Sequence, residues 1–218
     1  MSDMMGALQG FLALGGPVVA LLLAMSVLAL TLVLVKLWQF SRAGVGDHAA
    51  LLDALDQADR GAVTAALQQA GAARSHLAPL AVLALNAEGS NEALRARLTG
   101  LAEEAIARLQ SGFRLLDSIA QVAPLLGLFG TVLGMIAAFQ ALQEAGANVD
   151  PAALAGGIWV ALLTTAVGLG VAMPAALVLT WFEARIAREA RLAMQIVDVA
   201  LCRGLGQRAQ MPAGAENG

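Results

Sequence analysis

No charged side chain lies between Asp3 and Lys36, and two further uncharged runs follow, Ser118 to Gln143 and Pro151 to Phe182. A hydrocarbon layer about 30 Å thick is crossed by roughly 20 apolar helical residues, and PVVALLLAMSVLALTLVLV, from Pro17 to Val35, meets that length. The third run is longer than one crossing needs, so it protrudes on one side. Only 13% of the 218 residues are charged, against about 25% in globular domains, so the bilayer is the solvent for much of the chain. The expected fold is an all-α membrane protein with three transmembrane helices, in which long cytoplasmic extensions of the second and third form a small helical bundle.

Lysine and arginine near span ends are retained on the cytoplasmic side. Of the 13, eight lie from Lys36 to Arg114 and five from Arg185 to Arg208, with none before the first span and none between the second and third. This puts residues 1–15 in the periplasm, spans at 16–38, 118–142 and 153–182, and a periplasmic loop at 143–152. Residues 39–117 form a cytoplasmic helical region and 183–206 a cytoplasmic helical extension, while the Gly- and Ala-rich 207–218 is expected to be a disordered tail. A secretory signal peptide wants a basic start and a shorter apolar core, so the first run is expected to be an uncleaved anchor.

In the cytoplasmic part, Asp47, Asp59 and Ser90 stand where N-cap residues stand, and Gly71 and Gly89 where helices end, which predicts short helices at about 48–58, 60–70 and 76–88. Leu94, Leu98, Leu101, Ala105, Leu109, Phe113 and Leu116 recur at steps of three and four, predicting one continuous helix leading into the second span. Ile186, Ala190, Ala193, Val197 and Leu201 repeat the pattern after the third span, until Gly204 and Gly206 are expected to stop it.

The second span contains Pro124, Gly127, Gly130, Thr131 and Gly134, and its glycines share a face that lets another backbone approach closely. The third has a matching stripe of Gly157, Ala161, Thr164, Gly168 and Ala175, with Thr165 at its edge and Pro174 able to bend the helix. A three-helix monomer is too small to use both stripes, so they are expected to pack subunits into a ring. Thr131, Thr164 and Thr165 admit two readings. Each hydroxyl can bond back to its own helix, or the set can line a narrow polar conduit. The first span, rich in Leu and Val, is expected to face lipid.

A proton path inside a membrane generally uses Asp, Glu or His, and no such residue lies within the spans. Hydroxyls do not titrate at physiological pH, so proton handling would need an acid from another chain. His48 and His76 fall in the cytoplasmic region, where a solvated surface role is expected, and the lone Cys202 is expected to be a small packing residue. No intramembrane protease, Walker loop, dinucleotide fingerprint or metal-ligand spacing is present, so neither enzyme activity nor a cofactor is expected. Scattered basic residues and a net charge of -3 leave no nucleic-acid footprint.

The segments LLDSIAQVAPLLGLFGTVLGMIAAFQAL (115–142) and LAGGIWVALLTTAVGLGVAMPAALVLTWFEARI (154–186) resemble the second and third spans of the MotA/TolQ/ExbB proton channel family. Three spans and an outside N-terminus are similar to its ExbB and TolQ branch. The resemblance implies a homo-oligomeric ring in the bacterial inner membrane, a pentamer, around a single-span partner of the ExbD or TolR kind that carries the proton-accepting aspartate. Proton flow is then coupled to work delivered to a TonB- or TolA-like protein, in TonB-dependent import or a Tol-type envelope function. It further implies that Thr131, in GLFGTV, and Thr165 face the pore near that aspartate. One position departs: five residues before the second threonine, many ExbB- and TolQ-like proteins have glutamate, and this chain has Val160. A valine relays no proton, so the entrance of the path must differ or depend on the partner alone. The alternative is a non-conducting scaffold of a related complex.

The topology is testable in a Cys202→Ser background. Single cysteines near Gly6 and Ala147 should react with an impermeant reagent from the periplasm, whereas one near Gln69 should not. Labelling of Ala147 only from the cytoplasm would overturn the three-span arrangement.

Overall fold

The computed structural model describes the backbone of residues 2–87, 92–145 and 151–210, and the side chains of 16–87, 92–144, 151–152 and 154–202. The elements are α1 (Ser2–Arg42), α2 (Ala49–Asp59), α3 (Val63–Ala72), α4 (Ala78–Asn86), α5 (Glu92–Gln110), α6 (Phe113–Ala145) and α7 (Pro151–Gln210). They belong to two compact units, one comprising Met1–Val35 and Gly112–Trp181, the other Lys36–Ser111 and Phe182–Gly218.

In the first unit, α1 is interrupted where the sequence dictates. Pro17 lacks an N–H and its ring disfavours the α region for the preceding residue; Gly16 accordingly adopts φ 62° and ψ -161°. The stretches long and apolar enough to cross a membrane are Gly16–Arg42, Phe113–Glu144 and Leu154–Cys202. Pro124 and Pro174 remain inside unbroken helices. Spanning helices tolerate such prolines because neighbouring helices and local adjustments satisfy the freed carbonyl.

Helices α6 and α7 meet backbone to backbone. A Cβ on Gly127 would stand 2.9 Å from the Thr164 carbonyl oxygen and 3.3 Å from the Gly168 Cα, and one on Gly168 only 2.6 Å from the Ala123 carbonyl oxygen. Further along, Gly134 lies against Ala161, and Gly157 against Ala138. Pairing of early α6 with late α7 positions, and the reverse, makes the contact antiparallel. The two stripes thus face each other within one chain, which corrects the expectation that they await a second subunit: glycine on both helices brings the axes close enough for each stripe to fill the other. Helix α1 joins through Val18 and Leu22, buried in a cluster with Ala123 and Ala172. Its Leu21, Val27, Leu30 and Leu34 remain exposed.

The second unit buries an apolar core contributed by α2 (Leu51, Leu55), α4 (Leu77 just before it, Leu80, Leu85), α5 (Leu98) and α7 (Leu192, Ile196, Val197), with small Ala66 and Ala70 of α3 letting that helix lie close. Each fully buried Leu or Ile side chain contributes about 1.5–3 kcal/mol. Leu98 of the predicted α5 face and Ala193, Val197 and Leu201 of the predicted α7 face lie in this core, whereas Leu192 and Ile196 are not among the predicted positions, and several predicted boundaries differ. Helices α2 and α3 start after His48 and Ala62, neither with a side-chain cap, Asp59 ends α2, and Gly71 lies inside α3. Ser90 and Gly89 lie outside the described residues. Helix α7 continues through Gly204 and Gly206 to Gln210, so 207–210 is helical rather than part of a disordered tail, and 211–218 lies outside the described residues. A glycine costs a helix about 1 kcal/mol, too little to stop one with a packed face. Cys202 is exposed, not packed.

The predicted continuous helix from 90 into the second span is in fact two. Gly112, at φ 82°, ends α5, and α6 begins at Phe113. The break is capped from afar: the Lys36 ammonium donates to the Leu109 carbonyl at 3.1 Å, the Ser111 hydroxyl at 3.0 Å and the Gln39 side-chain oxygen at 2.7 Å. A cation is favoured at a helix C-terminus, where the last carbonyls lack partners within the helix.

Both histidines are half-buried, with side chains 14% (His48) and 12% (His76) exposed, against the expectation of a solvated surface role. Glu189 of α7, 1% exposed, lies with Oε1 2.8 Å from His48 Nε2 and Oε2 3.7 Å from His76 Nδ1. His48 Nδ1 lies 3.2 Å from the Ser75 hydroxyl, which also accepts the Leu77 N–H. The cluster joins α7 to the segments on either side of α2 and α3. The Glu189 carboxylate and the His48 imidazole are held together because a polar group withdrawn from bulk solvent needs a partner.

Two measurements test this packing in detergent-solubilised protein. Gly168→Ala should lower unfolding stability by about 1–3 kcal/mol through overpacking against the Ala123 carbonyl, whereas Gly170→Ala, where a Cβ meets open space, should be neutral or gain up to about 1 kcal/mol. Lys36→Met should cost about 1.5–3 kcal/mol, the usual range for hydrogen bonds to a charged group, with loss of hydrogen-exchange protection around residues 109–113.

Candidate functional site

The three intramembrane hydroxyls have different surroundings. Thr164 is 2% exposed and its hydroxyl donates to the Ala161 carbonyl at 2.7 Å, within its own helix, and toward the Gly127 carbonyl of α6 at 3.1 Å. It occupies the space left by the missing side chain of Gly130, where a Cβ would come within 2.7 Å of Oγ1. Thr164 therefore ties α6 to α7 inside the subunit. The glycines set this up: only without side chains at 127 and 130 does a hydroxyl on α7 reach a main-chain oxygen on α6.

Thr131 is half-buried and donates to the Leu128 carbonyl of its own helix at 2.6 Å, the self-satisfied arrangement common for threonine in spanning helices. Thr165 is half-buried beside the Gly127 contact and, among the described residues, makes no side-chain hydrogen bond. Its donor is thus available to a group outside the chain. No hydrogen bond joins the three hydroxyls to one another among the described residues, so within one subunit they form no chain. Val160, the position that departs from the family pattern, is half-buried one turn before Thr164.

The packing residues sit around this arrangement. Gly127, Gly130, Gly134, Gly157 and Gly168 all line the α6–α7 contact. Pro124 is half-buried beside Ala123, and Pro174 is exposed on α7, bordering a groove lined by Ser26, Ala29 and Val33 of α1. What remains uncovered is apolar: Leu125, Leu128, Phe129, Val132, Ile136 and Phe139 on α6, and Trp159, Leu162, Met173 and Leu177 on α7, are each at least 49% exposed. So many exposed apolar side chains on spanning helices face lipid or another protein, not water. Along 118–142 and 153–182 there is no Asp, Glu, His, Lys or Arg. The site can therefore offer hydrogen bonds but cannot itself take up a proton.

Sequence reasoning did not single out Lys36 or Glu189. Both are buried polar groups whose partners lie far along the chain, 73 residues away for the Lys36 bond to Leu109 and 141 for the Glu189 contact with His48. The one local hint was the unusual pairing of a single lysine with the end of an otherwise uncharged run.

Comparison with known proteins places these features. Residues 54–195 match the MotA/TolQ/ExbB proton channel family. A Synechocystis protein named ExbB-like 1 is 38% identical over 170 residues, covering 75% of this chain and 66% of the relative. Over 68 residues, 31% of this chain, an ExbB homologue of Methanothermobacter thermautotrophicus is 50% identical, covering 23% of its length. The biopolymer transport protein exbB1 of Vibrio cholerae is 47% identical, also over 68 residues and 31% of this chain, covering 30% of its own. The chain spans less than two thirds of the length of each of these relatives. With the family match extending over more than half of the sequence, and with three helices fit to cross a membrane, the chain belongs to the MotA/TolQ/ExbB proton channel family.

Proposed function

We propose that the chain is an ExbB-like subunit of a proton-driven motor in the bacterial inner membrane, with its N-terminus periplasmic and its C-terminus cytoplasmic. Several copies, five in the arrangement the family resemblance implies, surround the single span of an ExbD- or TolR-like partner. That partner supplies the titratable aspartate, and a TonB- or TolA-like protein receives the work. The observation that carries this reading is the combination of intramembrane hydroxyls with second and third spans free of any acid or base. Thr165 is the residue best suited to serve the partner, because its donor is uncommitted. A hydroxyl that donates to a carboxylate in a low-dielectric site stabilises the charged form, and releasing it when the acid protonates couples the proton to a change of contacts.

Val160 favours a second reading, a scaffold that assembles such a complex without conducting. An apolar side chain at that position holds no water and attracts no proton.

Threonine-to-valine replacements separate the two. Expressed with its co-encoded single-span neighbour, Thr165→Val should reduce energised activity roughly 10- to 100-fold, as expected from losing about 1.5–3 kcal/mol of bonding to a charged group, while leaving complex recovery intact. Thr131→Val should fall less, since its donor already serves Leu128, and Thr31→Val, whose hydroxyl bonds Val27 on the exposed face of α1, should be neutral. Equal activity in all three would sink the conduit and favour the scaffold.

A further inference from the structure

The trio of His48, His76 and buried Glu189 in the second unit lies outside the intramembrane site, and the proposed function makes no use of it. Its geometry is incomplete in a specific way. Both ring nitrogens of His76 and Oε2 of Glu189 are buried without a hydrogen-bond partner. The remaining carboxylate oxygen lies 2.8 Å from His48 Nε2, and the Gly46 N–H lies 3.1 Å from the same nitrogen, which donates to the first when protonated or accepts from the second when not. The groups facing His76 are Glu189 from α7 and His48 from the start of α2, whose ring lies 6.4 Å from that of His76. Arg185, also on α7, is engaged with the Val45 carbonyl at 3.1 Å. Arg42, Asp47 and Arg74 line, together with His76 and Ser75, an open cavity of about 800 Å³.

A neutral His76 has one N–H to place, but an imidazolium has two. Only one acceptor, Glu189 Oε2, is within reach of Nδ1, and Nε2 has none among the described residues. Protonation inside the closed cluster would thus leave a charged donor buried and unpaired, which is costly unless water enters. We propose that His48, Glu189 and His76 form a proton-operated latch, closed while His76 is neutral, which opens when His76 takes up a proton and releases the α7 extension from the segments around residues 43–48 and 74–77.

The direction of the His76 shift agrees. Burial lowers it from the ordinary 6.5, the Glu189 carboxylate pulls it back up, and His48 lowers it a little further. An opened His76, in water, binds its proton more readily than a closed one. The closed state is therefore fully favoured above the opened-state pKa and loses stability as the pH falls through and below it, by up to about tenfold in population per pH unit. Burial creates this difference between the closed and opened states, and the Glu189 carboxylate, by pulling the closed-state affinity back up, narrows it.

The test is local hydrogen exchange of the full chain in lipid nanodiscs from about pH 8 to about pH 5.5, corrected for intrinsic exchange, with the histidine ring resonances titrated in parallel. Protection of segments 43–48, 74–77 and 185–193 should fall on acidification by up to about tenfold per pH unit. The fall should disappear in His76→Gln and persist in His48→Gln. Should His76→Gln not fold, the wild-type rings decide, because His76 must titrate below 6.5 and in step with the loss of protection. Protection that does not change with pH, a slope retained in His76→Gln, or a His76 midpoint at or above 6.5 would each overturn the latch. None of these readouts involves proton conduction, so the inference stands or falls apart from the proposed function.

Discussion

The main-chain contact of Gly127 with Gly168 governs the intramembrane unit. Water is absent between spanning helices, so burial of apolar surface gives no advantage over lipid, and association relies on close packing and hydrogen bonds. Both need short distance. With no side chain at either position, α6 and α7 come near enough for Ala123, Gly134, Ala138, Gly157 and Ala161 to fit along the same seam, and for the Thr164 hydroxyl to reach across to a carbonyl. The seam fixes the rotation of each helix. It therefore decides that Thr164 faces inward, that Thr165 lies at the edge with its donor open, and that the large apolar side chains point away.

The second unit obeys different physics. Leucines, isoleucine and many alanines from α2, α3, α4, α5 and α7 exclude water from a core of the ordinary soluble kind. The polar groups it buries are placed at joints: Lys36 on the carbonyl at the end of α5, Glu189 between two histidines. Breaking either pair would strand a buried charge, a larger penalty than the pair's net contribution to stability. Such pairs say little about how stable the unit is, but much about which arrangement of its segments is allowed.

The proposed function joins these properties through chemistry the chain lacks. A subunit with no acid or base in its second and third spans can shape the surroundings of a proton carrier without competing for the proton. Hydroxyls suit that task, since they donate to a carboxylate when it is charged and need no protonation of their own. On that proposal, Val160 would leave every titratable step at membrane depth to the partner.

The amino-acid sequence alone determined the spans, because a charge in hydrocarbon is too costly to be placed by chance and its absence can be read residue by residue. The same holds for the existence of the short helices α2 to α4 and for much of the core faces of α5 and α7, since helical periodicity is local. Tertiary structure alone decided the rest. The apolar face runs unbroken from Leu109 through Phe113 to Leu116, so periodicity concealed the break at Gly112, which is held by a lysine 73 residues before Leu109. Stripes of small residues show that a backbone comes close, but not whose; the partner proved to lie in the same chain. His48, His76 and Glu189 carry no mutual signal in sequence, because a carboxylate recognises an imidazole by distance in space, and only the fold brings them within reach.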